Sequence, residues 1–256
     1  MATVRGGMFE TEVLEAGSGS PVLFLHGTGG LEWGDFLDGL SASNRVIAPR
    51  HPGYGDSTGD ETLADQLDLL YYYLDFLDAE GLRGIPVIGH SLGAMFAAEL
   101  AAMQPDRFSR LALIAPLGLW NEAHPVPDFF VMSPKDVAAA TYADIETPAA
   151  VAAGRAPETD TERVAWMLER VKSQRVAAKY LWPIPNRGLA KRAHRISSPT
   201  LLIWGEADGI CPPAYAGDFK RLIRHAEVEM IAGAGHLPQV EQAERTLALV
   251  QRFIGA

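Results

Sequence analysis

The chain has 256 residues, 48% hydrophobic and 21% charged, enough apolar material for the core of one large α/β domain or two ordinary ones. A formal net charge of −10 argues against a nucleic-acid surface, which needs clustered Lys and Arg. A single cysteine, Cys211, excludes an internal disulfide and points to a reducing compartment. Met1 to Gly19 has no apolar h-region, and no apolar run is long enough to cross a bilayer. A cytoplasmic chain without a membrane partner is therefore expected.

Phe9–Thr11–Val13 alternates like a strand and turns back at Gly17–Ser18–Gly19. Pro21 to Leu25 is a continuous apolar run, the mark of a strand covered on both faces. It ends in His26–Gly27–Thr28–Gly29–Gly30, where glycines allow a tight turn and expose backbone N–H groups. Arg45 to Pro49 predicts another strand, followed by the loop His51 to Ser57. Leucines 63, 67, 70, 74 and 77 predict a helix over 62–80, stopped by Gly81. Of the triple Tyr71–Tyr72–Tyr73, half is expected in the core and half at the surface.

Ile85 to Ile88 predicts a strand that runs into Gly89–His90–Ser91–Leu92–Gly93, and helix-favouring sequence follows to Gln104. Strand, sharp turn and helix push one serine out at the edge of a sheet, and small neighbours make that turn possible. Arg110 to Ile114 is the next strand. Residues 116–192 then contain no convincing strand. Ser133–Pro134 and Thr147–Pro148 read as helix starts, with an N-cap hydroxyl and Pro at the first position. A longer helix is expected over 159–181, with Val164, Met167, Leu168, Val171 and Val176 on one side. Strand and helix alternation resumes with Thr200 to Trp204, a helix over 213–223, Glu227 to Ile231 and a C-terminal helix over 241–253. Such alternation implies a mostly parallel sheet with helices on both faces.

Four loops after four predicted strands carry suitable chemistry. Ser91 is a candidate nucleophile, and it needs a base to take its proton. His236, after the last strand, can be that base, and Asp208 can orient the imidazole. The strand ends of a parallel sheet share one edge, so these loops can meet. Reaction at a carbonyl also needs oxyanion donors. The Leu92 N–H begins a helix, and the loop 26–30 offers a second donor, with Thr28 the leading position. The remaining histidines, His51, His124, His194 and His225, lack metal-ligand spacing, and no metal site is expected. The glycine loop has neither a Gly-Lys-Ser/Thr ending nor a dinucleotide fingerprint.

The order Ser, Asp, His resembles the α/β-hydrolase fold superfamily of capped serine hydrolases. The resemblance rests on His26–Gly27, Pro52–Gly53–Tyr54–Gly55–Asp56–Ser57, Gly89 to Gly93, Trp204–Gly205–Glu206–Ala207–Asp208 and Gly235–His236. It implies a core of residues 1–115 and 193–256, and a helical cap, 116–192, inserted after the sixth strand. It also implies a triad of Ser91, Asp208 and His236, with Thr28 and Leu92 as oxyanion hole. Glu206 is a second carboxylate, but the Trp-Gly-x-x-Asp spacing selects Asp208. In similar proteins the His of His-Gly orders the oxyanion loop. Further candidates for touching substrate are His26, Gly27, Gly29, His90, His124, Phe129, Trp182 and Leu237.

The activity this implies is carboxylesterase-like hydrolysis of a small, fairly apolar ester, without cofactor, by a monomer or homodimer. Serine at the elbow speaks against haloalkane dehalogenase and epoxide hydrolase relatives, which use aspartate there. One alternative is a C–C bond hydrolase of diketone-type ring-cleavage products. Its members usually carry Trp directly after the catalytic His, where this chain has Leu237. Others are a lactonase or perhydrolase, and a non-catalytic protein that only captures a ligand.

Overall fold

A computed structural model describes residues 1–184 and 186–255. The main sheet has seven strands. In chain order they are β3 (Val13–Ala16), β4 (Pro21–Leu25), β5 (Arg45–Pro49), β6 (Ile85–His90), β7 (Phe108–Ile114), β8 (Thr200–Gly205) and β9 (Ala226–Ile231). Their spatial order is β3-β5-β4-β6-β7-β8-β9. Only β3 runs antiparallel to its neighbour.

The N-terminal strand expected over 9–13 is in fact divided between β3 and a strand that precedes it. β1 (Ala2–Val4) and β2 (Phe9–Thr11) form a separate antiparallel hairpin. At Glu12 the chain changes partner: Glu12 N donates to Ser57 Oγ at 2.9 Å, and Glu12 O accepts from Arg50 N at 2.8 Å. Counting β1, β2 and β3, the strand ending at Ile114 is the seventh in the chain, and it is the fifth of the main sheet.

Helices cover both faces, as the apolar runs require. Successive strand residues alternate between two cores. Leu23, Leu25, Val87, Leu111, Leu113, Leu202 and Trp204 face α2 (Gln66–Ala79), α3 (Leu92–Met103) and α7 (Ala214–Leu222). Val22, Phe24, Ile88, Ala112, Ile114, Leu201 and Ile203 face α1 (Asp35–Ser41) and the C-terminal helix. α2 begins later than the leucine spacing suggests. Asp65 caps it by accepting from Leu67 N and Asp68 N, at 2.8 and 3.1 Å, and leaves Leu67 exposed. Tyr72 and Tyr73 are buried and Tyr71 is half exposed.

Between β7 and β8 there is no strand among the described residues. Three α-helices lie there: α4 (Pro134–Thr141), α5 (Pro148–Gly154) and α6 (Asp160–Leu181). Ser133, Thr147 and Thr159 cap them with their side chains, as the sequence predicts for the first two. The side expected to be buried on α6 is not. Val164, Met167, Leu168 and Val171 are each more than half exposed, and only Val176 of that set is in the core. The buried residues are Ser173, Val176, Ala177, Tyr180 and Leu181. At 100° per residue Ser173 faces directly away from Val164. The helix therefore docks by its second half, and its first half projects outward. An ion pair with one buried partner secures the returning chain to α3: the half-exposed Arg192 places Nε 2.7 Å from Oε2 of buried Glu99, a bidentate geometry that keeps the carboxylate paired. No helix among the described residues is long and apolar enough to cross a membrane.

The sheet's direction of winding reverses between β4 and β6, which lie side by side although β5 intervenes in sequence. Such a switch point opens a crevice at the C-terminal strand ends. There the first turn of α3 presses on the end of β4, and a Cβ on Gly93 would be driven into the Leu25 carbonyl, with His26 O only 2.5 Å away. Both obstacles are backbone, so neither can rotate aside. Gly93→Ala is expected to cost about 1–3 kcal/mol of stability, read as a lower urea midpoint with unchanged slope. An unchanged midpoint would contradict this packing.

Candidate active site

Ser91 sits between β6 and α3 with φ 53° and ψ −113°, a left-handed conformation that a side chain rarely adopts. Three hydrogen bonds hold it there. Its N–H donates to Ile114 O at 2.8 Å, and its carbonyl accepts from Met95 N at 3.0 Å and Leu117 N at 3.3 Å. On one flank, a Cβ at Gly89 would lie 2.6 Å from Ala94 Cα, so the small residues of the motif are required by contact.

His236 and Asp208 meet this serine. Ser91 Oγ lies 2.9 Å from His236 Nε2, and His236 Nδ1 lies 2.8 Å from Asp208 Oδ2. The carboxylate accepts at Nδ1, which assigns the proton there and leaves Nε2 bare for the serine hydroxyl. Asp208 Oδ1 accepts from Ile210 N at 2.9 Å and Cys211 N at 2.8 Å, which fixes the carboxylate plane. All three side chains are buried. An imidazole placed this way can take the Ser91 proton while its own positive form is balanced by Asp208. Glu206 is exposed and has no hydrogen bond to His236. The Cys211 thiol is buried 3.4 Å from Pro116 O, and burial pushes its pKa well up, which keeps it protonated.

Helix α4 adds a feature the sequence did not signal. Its last carbonyls lack intrahelical donors, and the two reactive loops fill them. Ala140 O accepts from Gly209 N at 2.9 Å, and Thr141 O accepts from His236 N at 2.6 Å. Glu241 Oε1 accepts from Gly235 N and its Oε2 from Ala143 N, both at 2.8 Å. The loops carrying Asp208 and His236 are thus bound to one helix end. The contact is backbone to backbone, so no residue type announces it.

The oxyanion candidates flank Ser91. Leu92 N–H opens α3 and has no intrahelical acceptor. Thr28 follows Gly27, where a Cβ would lie 2.7 Å from His90 Nδ1 and 3.3 Å from Ser91 Cβ. His90 Nε2 donates to His236 O at 2.9 Å, so His90 braces the loop of His236. His26 Nδ1 donates to Gly27 O at 2.8 Å. His51, read from the sequence as ordinary, stacks on His26 with centroids 3.6 Å apart. Leu237 follows His236 and leads into the short helix α8 (Pro238–Glu241), which precedes α9 (Ala243–Ile254). Gly29 is exposed. Phe129 is buried against Phe130. Trp182 is half exposed and donates to Asp128 Oδ2 at 3.1 Å. His124 is exposed in a turn closed on Asn121 O. Neither Trp182 nor His124 is hydrogen-bonded to Ser91, His236 or Asp208 among the described residues.

With this geometry in place, the relationships are plain. A model of the Alpha/beta hydrolase family matches residues 22–249, and the chain belongs to that family. It is 28% identical over 255 residues to the dihydrolipoyllysine-residue acetyltransferase component of the acetoin cleaving system of Cupriavidus necator, covering 94% of this chain and 65% of that one. The chain thus spans about two thirds of that relative's length. It is 26% identical over 245 residues to lipase 1 of Psychrobacter immobilis, covering 90% and 75%. Among solved structures, 2-hydroxy-6-oxo-6-phenylhexa-2,4-dienoate hydrolase from Rhodococcus sp. strain RHA1 superimposes with a TM-score of 0.80 at 18% identity, over 100% of this chain and 98% of that one. That likeness concerns the fold.

Three histidines at this site are held neutral. Burial, followed by the charge of His51, pushes His26 well below the ordinary 6.5. Burial brings His51 to about 4, and burial with the neighbouring His236 brings His90 to about 3. Each folded value lies below the unfolded one, so the unfolded chain binds more protons between them. Their contribution is complete above about pH 6.5 and is lost as pH falls toward 4 for His51 and 3 for His90. Each should remove up to about 1.4 kcal/mol per pH unit inside its window. Urea midpoints at pH 7.5, 6.0 and 5.0 should therefore decline steadily. A flat profile over that range would refute buried neutral imidazoles.

Proposed function

We propose that the chain is a carboxylesterase-type serine hydrolase that cleaves a small, fairly apolar ester through an acyl-enzyme on Ser91. The observation that carries this reading is the unbroken line from Ser91 Oγ through His236 to Asp208 Oδ2. In this reading Ser91 Oγ attacks the ester carbonyl carbon as its proton passes to His236 Nε2. The oxyanion is met by the N–H groups of Leu92 and Thr28. His236 returns the proton to the leaving alcohol. It then takes a proton from water, whose oxygen attacks the acyl carbon; as the bond from that carbon to Ser91 Oγ breaks, His236 returns the proton to Oγ and the acid is released. Each step uses groups of the chain itself. The relationship to a lipase favours an ester bond. A C–C bond hydrolase would use the same groups on a diketone, but Leu237 stands where those enzymes usually carry Trp.

The test is turnover of p-nitrophenyl esters of increasing acyl length, with a diketone ring-cleavage product and a lactone alongside. Ester turnover is expected, highest for short or medium chains, and Ser91→Ala should abolish it. Faster turnover of the diketone would replace the ester reading with the C–C one. A wild type as inert as Ser91→Ala on all substrates would remove the enzyme reading altogether. Asp208→Asn should lower kcat on the order of 10³–10⁴-fold with the fold intact, because Nδ1 then loses its acceptor. A loss below tenfold would move the orienting role to Glu206.

A further inference from the structure

We propose that His51, backed by Tyr73, is a positioning residue that fixes the direction of the Thr28 N–H. The inference rests on the reading of that N–H as an oxyanion donor. A trans peptide is planar, and its N–H points opposite to the preceding carbonyl. Whatever holds Gly27 O therefore aims Thr28 N–H. Two donors hold it: His26 Nδ1 at 2.8 Å and Gly30 N at 3.2 Å.

His26 is in turn held by His51 in three ways. His51 N donates to His26 Nε2 at 3.0 Å, which leaves His26 its proton on Nδ1, the atom that reaches Gly27 O. His51 Nε2 donates to His26 O at 2.9 Å and so orients the peptide before Gly27. The two rings stack at 29° to one another. Because His51 Nε2 carries the proton, its Nδ1 must accept, and the Tyr73 hydroxyl supplies that bond. Tyr73 and His51 are both buried.

The same loop grips the oxyanion segment at two more carbonyls. Tyr54 Oη donates to Thr28 O at 3.2 Å, and Arg50 Nη1 donates to Leu31 O at 3.0 Å. The surroundings of His51 are otherwise apolar and aromatic: Tyr54, Tyr73 and Phe96 meet its ring edge-on. A Phe would fill that box, and a buried polar ring there costs stability unless all its bonds are made. The imidazole is accounted for by the direction of the bonds it makes.

The experiment compares His51→Phe, His51→Gln and Tyr73→Phe with wild type. Two readouts are kcat and KM on the best ester, and the affinity of benzeneboronic acid, whose boron takes Ser91 Oγ as fourth ligand and presents an oxygen to the oxyanion donors. His51→Phe should lower kcat roughly 10–100-fold with KM within about threefold, and weaken the boronate by a similar factor. His51→Gln keeps an N–H near the His26 carbonyl and should recover most of the loss. Tyr73→Phe should move both readouts the same way by a smaller factor, and it serves alone should His51→Phe fail to fold. A lower melting temperature with kcat and boronate affinity unchanged would overturn the proposal and leave His51 a packing residue. A wild type that neither turns over esters nor binds the boronate would sink the functional reading first, and this inference with it.

Discussion

Everything at the site depends on how closely the first turn of α3 approaches the end of β4. Gly93 lies against the backbone of Leu25 and His26, with no room for a side chain. That contact places the start of a helix, with its free N–H groups, beside the loop 26–30. It also leaves Ser91 in a left-handed conformation that three backbone hydrogen bonds must sustain. A larger residue at position 93 would separate Ser91 from the loop 26–30 even with every side chain of the site still present.

Around this contact the chain places polar groups where water cannot compensate for a missing bond, and the bonds are made. The Asp208 carboxylate takes two backbone donors on one oxygen and His236 on the other. His26, His51 and His90 each have a partner that assigns the tautomer. Buried imidazoles in such networks lose their charge before they lose their place. The neutral form is also the useful one, because only a neutral ring offers one donor and one acceptor.

Much of this was legible in the sequence because it depends on side-chain type and period. Apolar runs gave the central strands, Ser133–Pro134 and Thr147–Pro148 gave two helix starts, and Gly89 to Gly93 gave the elbow. What was hidden shares a different physical origin. The hold of α4 on the loops of Asp208 and His236 is made by carbonyl and N–H groups, which every residue has. The spacing of Val164, Met167, Leu168 and Val171 places them on one side of α6, but period alone cannot say whether anything covers that side. His51 carried no spacing signal, because its partners come from β4's loop and from α2, 25 and 22 residues away. The N-terminal strand was read as one because a change of partner at Glu12 leaves the alternation intact.

The segment between β7 and β8 is joined to the reactive groups from two directions. α4 holds the loops of Asp208 and His236 through Ala140 O and Thr141 O. α6 holds the loop that carries His51. Glu169 accepts from Gly55 N at 3.0 Å, Lys172 donates to Gly55 O at 2.6 Å, and Arg175 reaches Asp60 at 2.8 Å. Two of these bonds run from a charged side chain to the Gly55 backbone and the third is an ion pair; a surface ion pair adds little stability, but together the three set where the loop sits. At Gly53 a Cβ would meet Val176 Cγ2 at 2.7 Å, so the helix and that loop are in direct contact. A segment that only lay over the site could be exchanged without moving the residues beneath it. This one braces His236 through α4 and stands against the loop of His51 through α6, so exchanging it would shift those residues as well.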